Sequence, residues 1–394
     1  MAPWIFEARQ GSAALHPMTD PEHQLDLQMM RLAIEQANLA RPSPNPPVGA
    51  IVTQPDGEVV AKAHHIEAGH EHAESVALGE AGEAAKGGTL YVTLEPCNHE
   101  GQTMPCVDTI LKAGVKRVVI GCLDPNPHVT GGGAARLEGA GLDVVVGVAA
   151  PQNRALIARW SKFITTGTPQ VSLKLALSLD GRIATRSGAS KWVTGPEARV
   201  KVQQLRSQHD AVAVGIGTAM ADDPRLTVRD EALLAGRTSP VRIIFDTQLR
   251  LPISSRVVET AGDVPTWVCA GEDAPEEAEH ALADKGCSVL RLMKTAEGRV
   301  DVASALTQLA EEGIVSMLVE GGAELAGSLL AGKRADELHG FIAPLLLGPR
   351  GRPGAVDWAG PETPTDAPQI LDPTWEVCGR DAYVFGPVSY PEKE

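Results

Sequence analysis

From Leu25 to about Val148 the apolar positions of the chain switch repeatedly between a helical period and the alternation of a half-buried strand. Asp20-Pro21 has the form of a helix cap followed by a first-turn proline, and opens an apolar-periodic stretch through Ala40. Strands are expected at Val48–Thr53 and Glu58–Ala63, a helix after Gly69, and a strand at Thr89–Leu94. A helix over Pro105–Ala113, a strand over Arg117–Cys122, a helix from about Ala134 and a strand over Leu142–Val148 complete the series. Such alternation predicts a three-layer α/β sandwich around a mostly parallel sheet. Residues 1–22 carry no comparable pattern and read as a loose tail, with Met18 just ahead of the first helix.

Helical residues Pro151–Phe163 lead into Thr165-Thr166-Gly167-Thr168-Pro169, a turn-forming connector. The domain boundary is placed there, giving a first domain over 23–165 and a second over 168–394. The second α/β series contains a helix at Pro196–Ser207 and strands at Val171–Leu177, Ala211–Val214, Val241–Phe245, Thr266–Ala270, Ser288–Leu292, Val315–Val319 and His339–Ile342. Gly321-Gly322 follows one of these strands and precedes a helix over Glu324–Leu330, an arrangement that suits a nucleotide phosphate at a strand end.

Length supports the division, because 394 residues exceed what a single growing core usually holds. A net charge of -15 with no dense Lys/Arg cluster disfavours long nucleic acids, and no apolar run is long enough to span a bilayer. Six cysteines are too sparse for a disulfide framework, and the N-terminus lacks a basic region followed by an apolar one, so a cytoplasmic, reducing location is expected.

The cysteines matter instead for chemistry. His72-Ala73-Glu74, then Pro96-Cys97, then Cys106 combine three zinc-ligand side chains with one carboxylate. Three ligands leave the fourth tetrahedral position open, which is the pattern of catalytic rather than structural zinc. His72 and Cys106 fall at predicted helix starts, where the helix dipole favours thiolate. Glu74 is the group to take a proton from water and return it to the ring nitrogen and departing amine. His99 is assigned to substrate contact or loop structure. A deaminase acting on tRNA or single-stranded DNA would share His72-Ala73-Glu74, but the acidic charge and 4% aromatic content oppose it.

Several further segments together resemble one family. They are Pro44-Asn45-Pro46-Pro47-Val48-Gly49, His65-Ile66-Glu67-Ala68-Gly69, Tyr91-Val92-Thr93-Leu94, Glu95 through Cys106, Asp124-Pro125-Asn126-Pro127, Ser178-Leu179-Asp180-Gly181, Asp222-Asp223-Pro224-Arg225-Leu226-Thr227, Val319-Glu320-Gly321-Gly322 and Ala343 through Gly348. In this order they are similar to the bifunctional riboflavin-biosynthesis deaminase/reductase family, with Met104 where that family usually has Pro. The resemblance implies a cytidine-deaminase-like sandwich followed by a dihydrofolate-reductase-like α/β domain. It also implies Zn2+ and NADPH as cofactors, a pyrimidine ribosyl phosphate as substrate, and a homo-oligomer. His72, Cys97 and Cys106 would be the zinc ligands, Glu74 the proton shuttle, and Asn45 would lie against the pyrimidine. Ala176, Trp192, Thr218, Asp222, Thr247 and the run Gly322, Ala323, Glu324, Leu325, Ala326, Gly327, Ser328 would contact NADPH. Ser190, Arg206, Leu226, Arg229 and Glu320 would contact substrate, with Arg206 and Arg229 suited to a sugar phosphate. Thr247, Gln248 and Arg250 are expected near the cofactor's 2'-phosphate. The rival for residues 170–394 is a nucleotide-binding module without catalysis.

Overall fold

The computed structural model describes residues 20–99, 104–127, 132–234, 237–348 and 354–391. The tail at 1–19 and motif positions Glu100 to Thr103 lie outside the described residues. Two compact units divide between Ala158 and Arg159, so the connector expected at Thr165–Pro169 falls just inside the second unit.

The first unit runs α1 (Pro21–Ala37), β1 (Gly49–Thr53), β2 (Val59–His64), α2 (Ala73–Ala81), β3 (Thr89–Leu94), α3 (Cys106–Ala113), β4 (Arg117–Cys122), α4 (Gly133–Gly139), β5 (Asp143–Val146) and α5 (Ala150–Leu156). Asp20 caps α1 by accepting from the Glu22 amide. The sheet order is β2-β1-β3-β4-β5. Strands β3, β4 and β5 are parallel, whereas β1 pairs antiparallel with both β2 and β3, so the sheet is mixed. Met30 and Ala33 of α1 bury against Ile51, Tyr91 and Val119 of three successive strands. This packing fixes the strand ends from which the site loops leave.

The second unit begins with α6 (Ala158–Thr166), separated from α5 at Ile157, so the helical stretch expected over Pro151–Phe163 is two helices. It continues with β6 (Gln170–Ser178), α7 (Pro196–Ser207), β7 (Ala211–Gly215), α8 (Ile216–Asp222), β8 (Val241–Phe245), α9 (Arg256–Glu259), β9 (Thr266–Gly271), α10 (Glu276–Ala283) and β10 (Ser288–Leu292). Then follow α11 (Val302–Glu311), β11 (Ser316–Val319), α12 (Ala323–Ala331), β12 (Glu337–Ala343), β13 (Gln369–Ile370), β14 (Thr374–Cys378) and β15 (Asp381–Ser389). The strand order is β10-β9-β8-β7-β11-β6-β12-β15-β13, with β14 also on β15. Strands β10 through β12 in that order are parallel, and β15 runs antiparallel to β12.

Strand alternation sorts the second sheet's two faces. Ala211 and Ala213 of β7 join Val171, Leu173 and Met317 under α11 and α12, while Val212 and Val214 face the other way toward Val257, Val258 and Leu282. The β13–β15 ribbon has no counterpart in the sequence reading. Gly386-Pro387 interrupts the apolar pattern of β15, and β14 is exposed along most of its length, which erases the half-buried signal.

A candidate zinc centre and a candidate nucleotide cavity

His72 is the extended cap residue of α2, Glu74 lies in the first turn of that helix, and Cys106 opens α3 after Pro105. Cys97 follows β3, its Sγ accepting from the Cys106 amide at 3.3 Å. Three strand and helix ends thus converge on one point. His72 Nδ1 stands 3.2 Å from Cys106 Sγ and 3.5 Å from Cys97 Sγ, and the three donor atoms lie within 4.8 Å of one another. A tetrahedral ion with ordinary Zn–N and Zn–S bonds would place N and S about 3.6 Å apart, so the donor set and its spacing fit zinc. The Cys106 thiol donates to Cys97, and His72 adds to it, so Cys97 is held down to about 4. Sharing that proton, together with burial, pushes Cys106 up. His72 is raised, chiefly by its bond to Cys97, with burial opposing.

Glu74 is buried, and desolvation raises its carboxyl above the ordinary range while His72 opposes the rise. Beside the donors, His65 Nδ1 meets the Glu71 carbonyl at 3.1 Å and its Nε2 meets Asn45 Nδ2 at 3.0 Å. A carbonyl can only accept, so Nδ1 carries the proton and Nε2 accepts from the Asn45 amide. Burial lowers the His65 pKa, in keeping with this neutral form. The Asn45 side chain is therefore fixed in orientation. His65, at 5.3 Å ring distance from His72, entered the sequence reading only as part of the segment His65 to Gly69 and was given no role of its own there. His99 is exposed.

The second unit holds a cavity of about 870 Å3. Of the residues expected at the cofactor, Ala176, Trp192, Thr218, Asp222, Gly322 and Ala323 line it, and so do the expected substrate contacts Ser190, Arg206, Leu226, Arg229 and Glu320. The remainder of the expected cofactor run lies elsewhere. Leu325 and Ala326 pack into the core under β11, Ser328 donates to the Glu324 carbonyl, and Glu324 pairs with Arg299 on the surface. A Cβ on Gly327 would stand 1.9 Å from the Asp357 carbonyl, so that glycine serves close packing of α12. Thr247 Oγ1 accepts from the Val300 amide, and Arg250 pairs with Asp246 at 3.5 Å.

Arg206 and Glu320 form a bidentate pair, with Nη2 to Oε2 at 2.9 Å, and Arg206 Nη1 donates to the Thr227 carbonyl. Burial opposes charge on Glu320, but Arg206 beside it holds the carboxyl below its usual range. The guanidinium is thus committed to protein partners. Arg229 lies exposed at the rim with its amide bonded to Gln203. Ser190 donates to Asp222 at 2.6 Å, and Arg199 stacks 4.6 Å over the exposed Trp192 ring. Lys174, Lys191, Arg199 and Arg256, which sequence reasoning missed, line the cavity together with Arg225, which it quoted in a motif without a role. In a chain of net charge -15 this concentration of cations points to an anionic, phosphate-bearing occupant. Lys174 is the one with a readable signal, a lone cation within the apolar run Val171–Leu177. Burial lowers its ammonium pKa, with Glu320 opposing.

A deaminase-type metal centre in one unit and a cation-lined cavity at the strand ends of a parallel sheet in the other define a bifunctional zinc deaminase and nucleotide-dependent reductase. Residues 23–122 match the cytidine and deoxycytidylate deaminase zinc-binding region, and residues 169–384 match the RibD C-terminal domain. The chain is 41% identical over 343 residues to riboflavin biosynthesis protein RibD of Bacillus amyloliquefaciens, covering 86% of this chain and 90% of that protein. It is 42% identical over 336 residues to the RibD protein of Escherichia coli, covering 83% and 89%. The solved RibD structure from Acinetobacter baumannii superposes with TM-score 0.81 at 35% identity, over 93% of this chain and all of the other. A deaminase/reductase from Thermotoga maritima gives TM-score 0.80 at 34% identity, with the same coverage. The chain belongs to the RibD family of riboflavin biosynthesis, bifunctional enzymes that deaminate with zinc and reduce with NADPH.

Proposed function

We propose that the chain deaminates 2,5-diamino-6-ribosylamino-4-pyrimidinone 5'-phosphate and then reduces the ribose of the product to a ribityl chain, in two units with the boundaries 23–165 and 168–394 or close to them. The carrying observation is the convergence of His72, Cys97 and Cys106 with a buried Glu74 beside them. It is joined by the likeness to the Thermotoga maritima structure, that of a diaminohydroxyphosphoribosylaminopyrimidine deaminase and 5-amino-6-(5-phosphoribosylamino)uracil reductase.

His72, Cys97 and Cys106 would hold zinc, which when bound would supply Lewis acidity that lowers the pKa of water enough to provide hydroxide near neutral pH. Glu74, desolvated and so a stronger base than an exposed carboxylate, takes one water proton to the ring nitrogen as the C–O bond forms, then carries the second, from the new hydroxyl, to the amine as the C–N bond breaks and ammonia leaves. Asn45, its amide held by neutral His65, aligns the pyrimidine edge.

NADPH bound in the second cavity supplies the hydride. Gly322 and Ala323, at the start of α12, are placed to present backbone N–H groups to a diphosphate, with Thr218 and Asp222 beside them. Arg229 and Arg199 at the rim are placed for the substrate phosphate. Lys174, its ammonium pKa lowered by burial, gives a proton to the sugar ring oxygen as hydride reaches C1 and the bond from C1 to that oxygen breaks, while the Arg206–Glu320 pair holds the wall against which the sugar lies. The chain is proposed to act in the cytoplasm as a homo-oligomer. The open edge strand β14, with Trp375 62% and Val377 88% exposed, is the candidate contact surface. Purified chain given the diamino compound alone should release ammonia and leave the ribose intact; absence of ammonia release from zinc-loaded protein refutes the assigned substrate.

A further inference from the structure

The two cysteines belong to different arms, one following β3 and one opening α3, and zinc is held only while both sulfurs keep their separation from His72. Backbone contacts between the arms are modest: Cys106 N to Cys97 Sγ at 3.3 Å and Val107 N to the Cys97 carbonyl at 3.3 Å. A third element closes the gap. Arg136 on α4 donates from Nη1 to Asn98 Oδ1 at 2.7 Å and from Nη2 to Asp108 Oδ1 at 2.5 Å. Asn98 is the residue after Cys97, and Asp108 lies two residues past Cys106 in the first turn of α3. One planar guanidinium therefore spans both cysteine arms.

Helix α4 is itself anchored to the Cys97 arm. Glu95 accepts from the Ala134 amide at 3.0 Å and from the Asp124 amide at 3.1 Å. Gly133 approaches Pro96 so closely that a Cβ there would stand 1.9 Å from the Pro96 carbonyl. The base from which Arg136 reaches out is thus fixed. We propose that Arg136 is a positioning residue of the zinc centre, a two-pronged clamp that sets the distance between the Cys97 and Cys106 arms. The Arg136 and Asp108 side chains are 42% and 33% exposed, so solvent screens their attraction, and the clamp acts through the geometry of the fork rather than through charge. This inference rests on the zinc centre and adds to it a residue that touches neither metal nor substrate.

The test is a zinc competition titration of the full chain against a chromophoric chelator, with thermal melting of the zinc-loaded protein followed in parallel. Arg136→Met should weaken zinc about 10- to 100-fold, the range seen when groups supporting metal ligands are removed. Arg136→Lys, which reaches only one acceptor at a time, should recover part of that loss. Asn98→Ala, which leaves every charge and the helix in place, should weaken zinc by a smaller factor, and combining it with Arg136→Met should add little beyond Arg136→Met alone. Unchanged zinc affinity in either Arg136→Met or Asn98→Ala overturns the proposal, as does full additivity of the two losses. Reductase turnover of the same preparations should not change.

Discussion

At the scale of single residues, Glu74 is the group on which deamination depends. Glu74→Gln should retain zinc, because it is not among the three donors, and should lose deamination by orders of magnitude while NADPH oxidation with deaminated substrate continues. Deamination within a few-fold of the unaltered chain would remove Glu74 from its role. The Arg206–Glu320 pair makes a different kind of prediction. Both side chains are less than a tenth exposed, so Glu320→Ala strands a buried guanidinium and should cost about 3–5 kcal/mol of second-unit stability in denaturant unfolding. The double change of Arg206→Met with Glu320→Ala should cost less than the sum. Additive losses would mean that the pair does not act as a unit. Legibility divides along the same line. The zinc residues could be read from sequence because metal chemistry restricts residue type and spacing together. Arg206 could be read only as a cation, since its commitment to Glu320 depends on how α7 lies over β11. Lys174 and Arg256 are brought to one cavity by folding, from positions 82 residues apart in the chain, and no spacing rule finds them.

At the scale of elements, α12 shows how a helix divides a run that is continuous in sequence. Gly322 and Ala323 meet the cavity, but a helical turn later the same stretch faces the core or the surface, so Leu325 and Ala326 are placed for packing. Gly327→Ala should therefore lower the melting temperature of cofactor-free protein, at a cost of about 1–3 kcal/mol, because the added methyl meets a backbone carbonyl. An unchanged melt with weakened NADPH binding would instead return Gly327 to the cofactor. At the opposite end of β6, buried His209 bonds to the Leu205 carbonyl and to Ser172, and Ser172 also reaches Glu337, which meets His339. Burial, with Arg159 and His339 adding, lowers the His209 pKa well below 6.5. The unfolded chain thus takes up a proton near 6.5 that the folded chain refuses. The stabilisation is complete above that pH and declines as pH falls below it, by up to about 1.4 kcal/mol per unit. Denaturant unfolding of the second unit should weaken from pH 7 to 5, and His209→Gln should flatten that slope; an equal slope in the variant would place the titration elsewhere.

At the scale of the whole molecule, the sequence reading located two α/β units by alternation alone, and the described sheets follow that alternation closely. It placed the junction at the turn-forming residues Thr165–Pro169, where composition changes, whereas compactness places it one helix earlier. The reason lies in α6. Arg159 donates to the Gln208 carbonyl, and Lys162 pairs with Asp336, which also accepts from the Val171 amide. These contacts join α6 to the sheet that follows and leave no mark on local pattern. A fragment beginning at Thr168 is expected to fold and oxidise NADPH with deaminated substrate, and one beginning at Arg159 is expected to do so with a higher melting temperature. Equal melting temperatures would show that α6 contributes nothing to the second unit.

The most direct test of the account supplies zinc-loaded chain with the diamino pyrimidine ribosyl phosphate and NADPH, and follows ammonia release and NADPH oxidation in one vessel. The account predicts one ammonia for each NADPH oxidised, with ammonia appearing first. In the Glu74→Gln variant both signals should vanish, and NADPH oxidation alone should return when the deaminated pyrimidine is supplied. NADPH oxidation by that variant on the diamino compound, or failure of the deaminated compound to restore it, would contradict the order and the independence of the two chemistries.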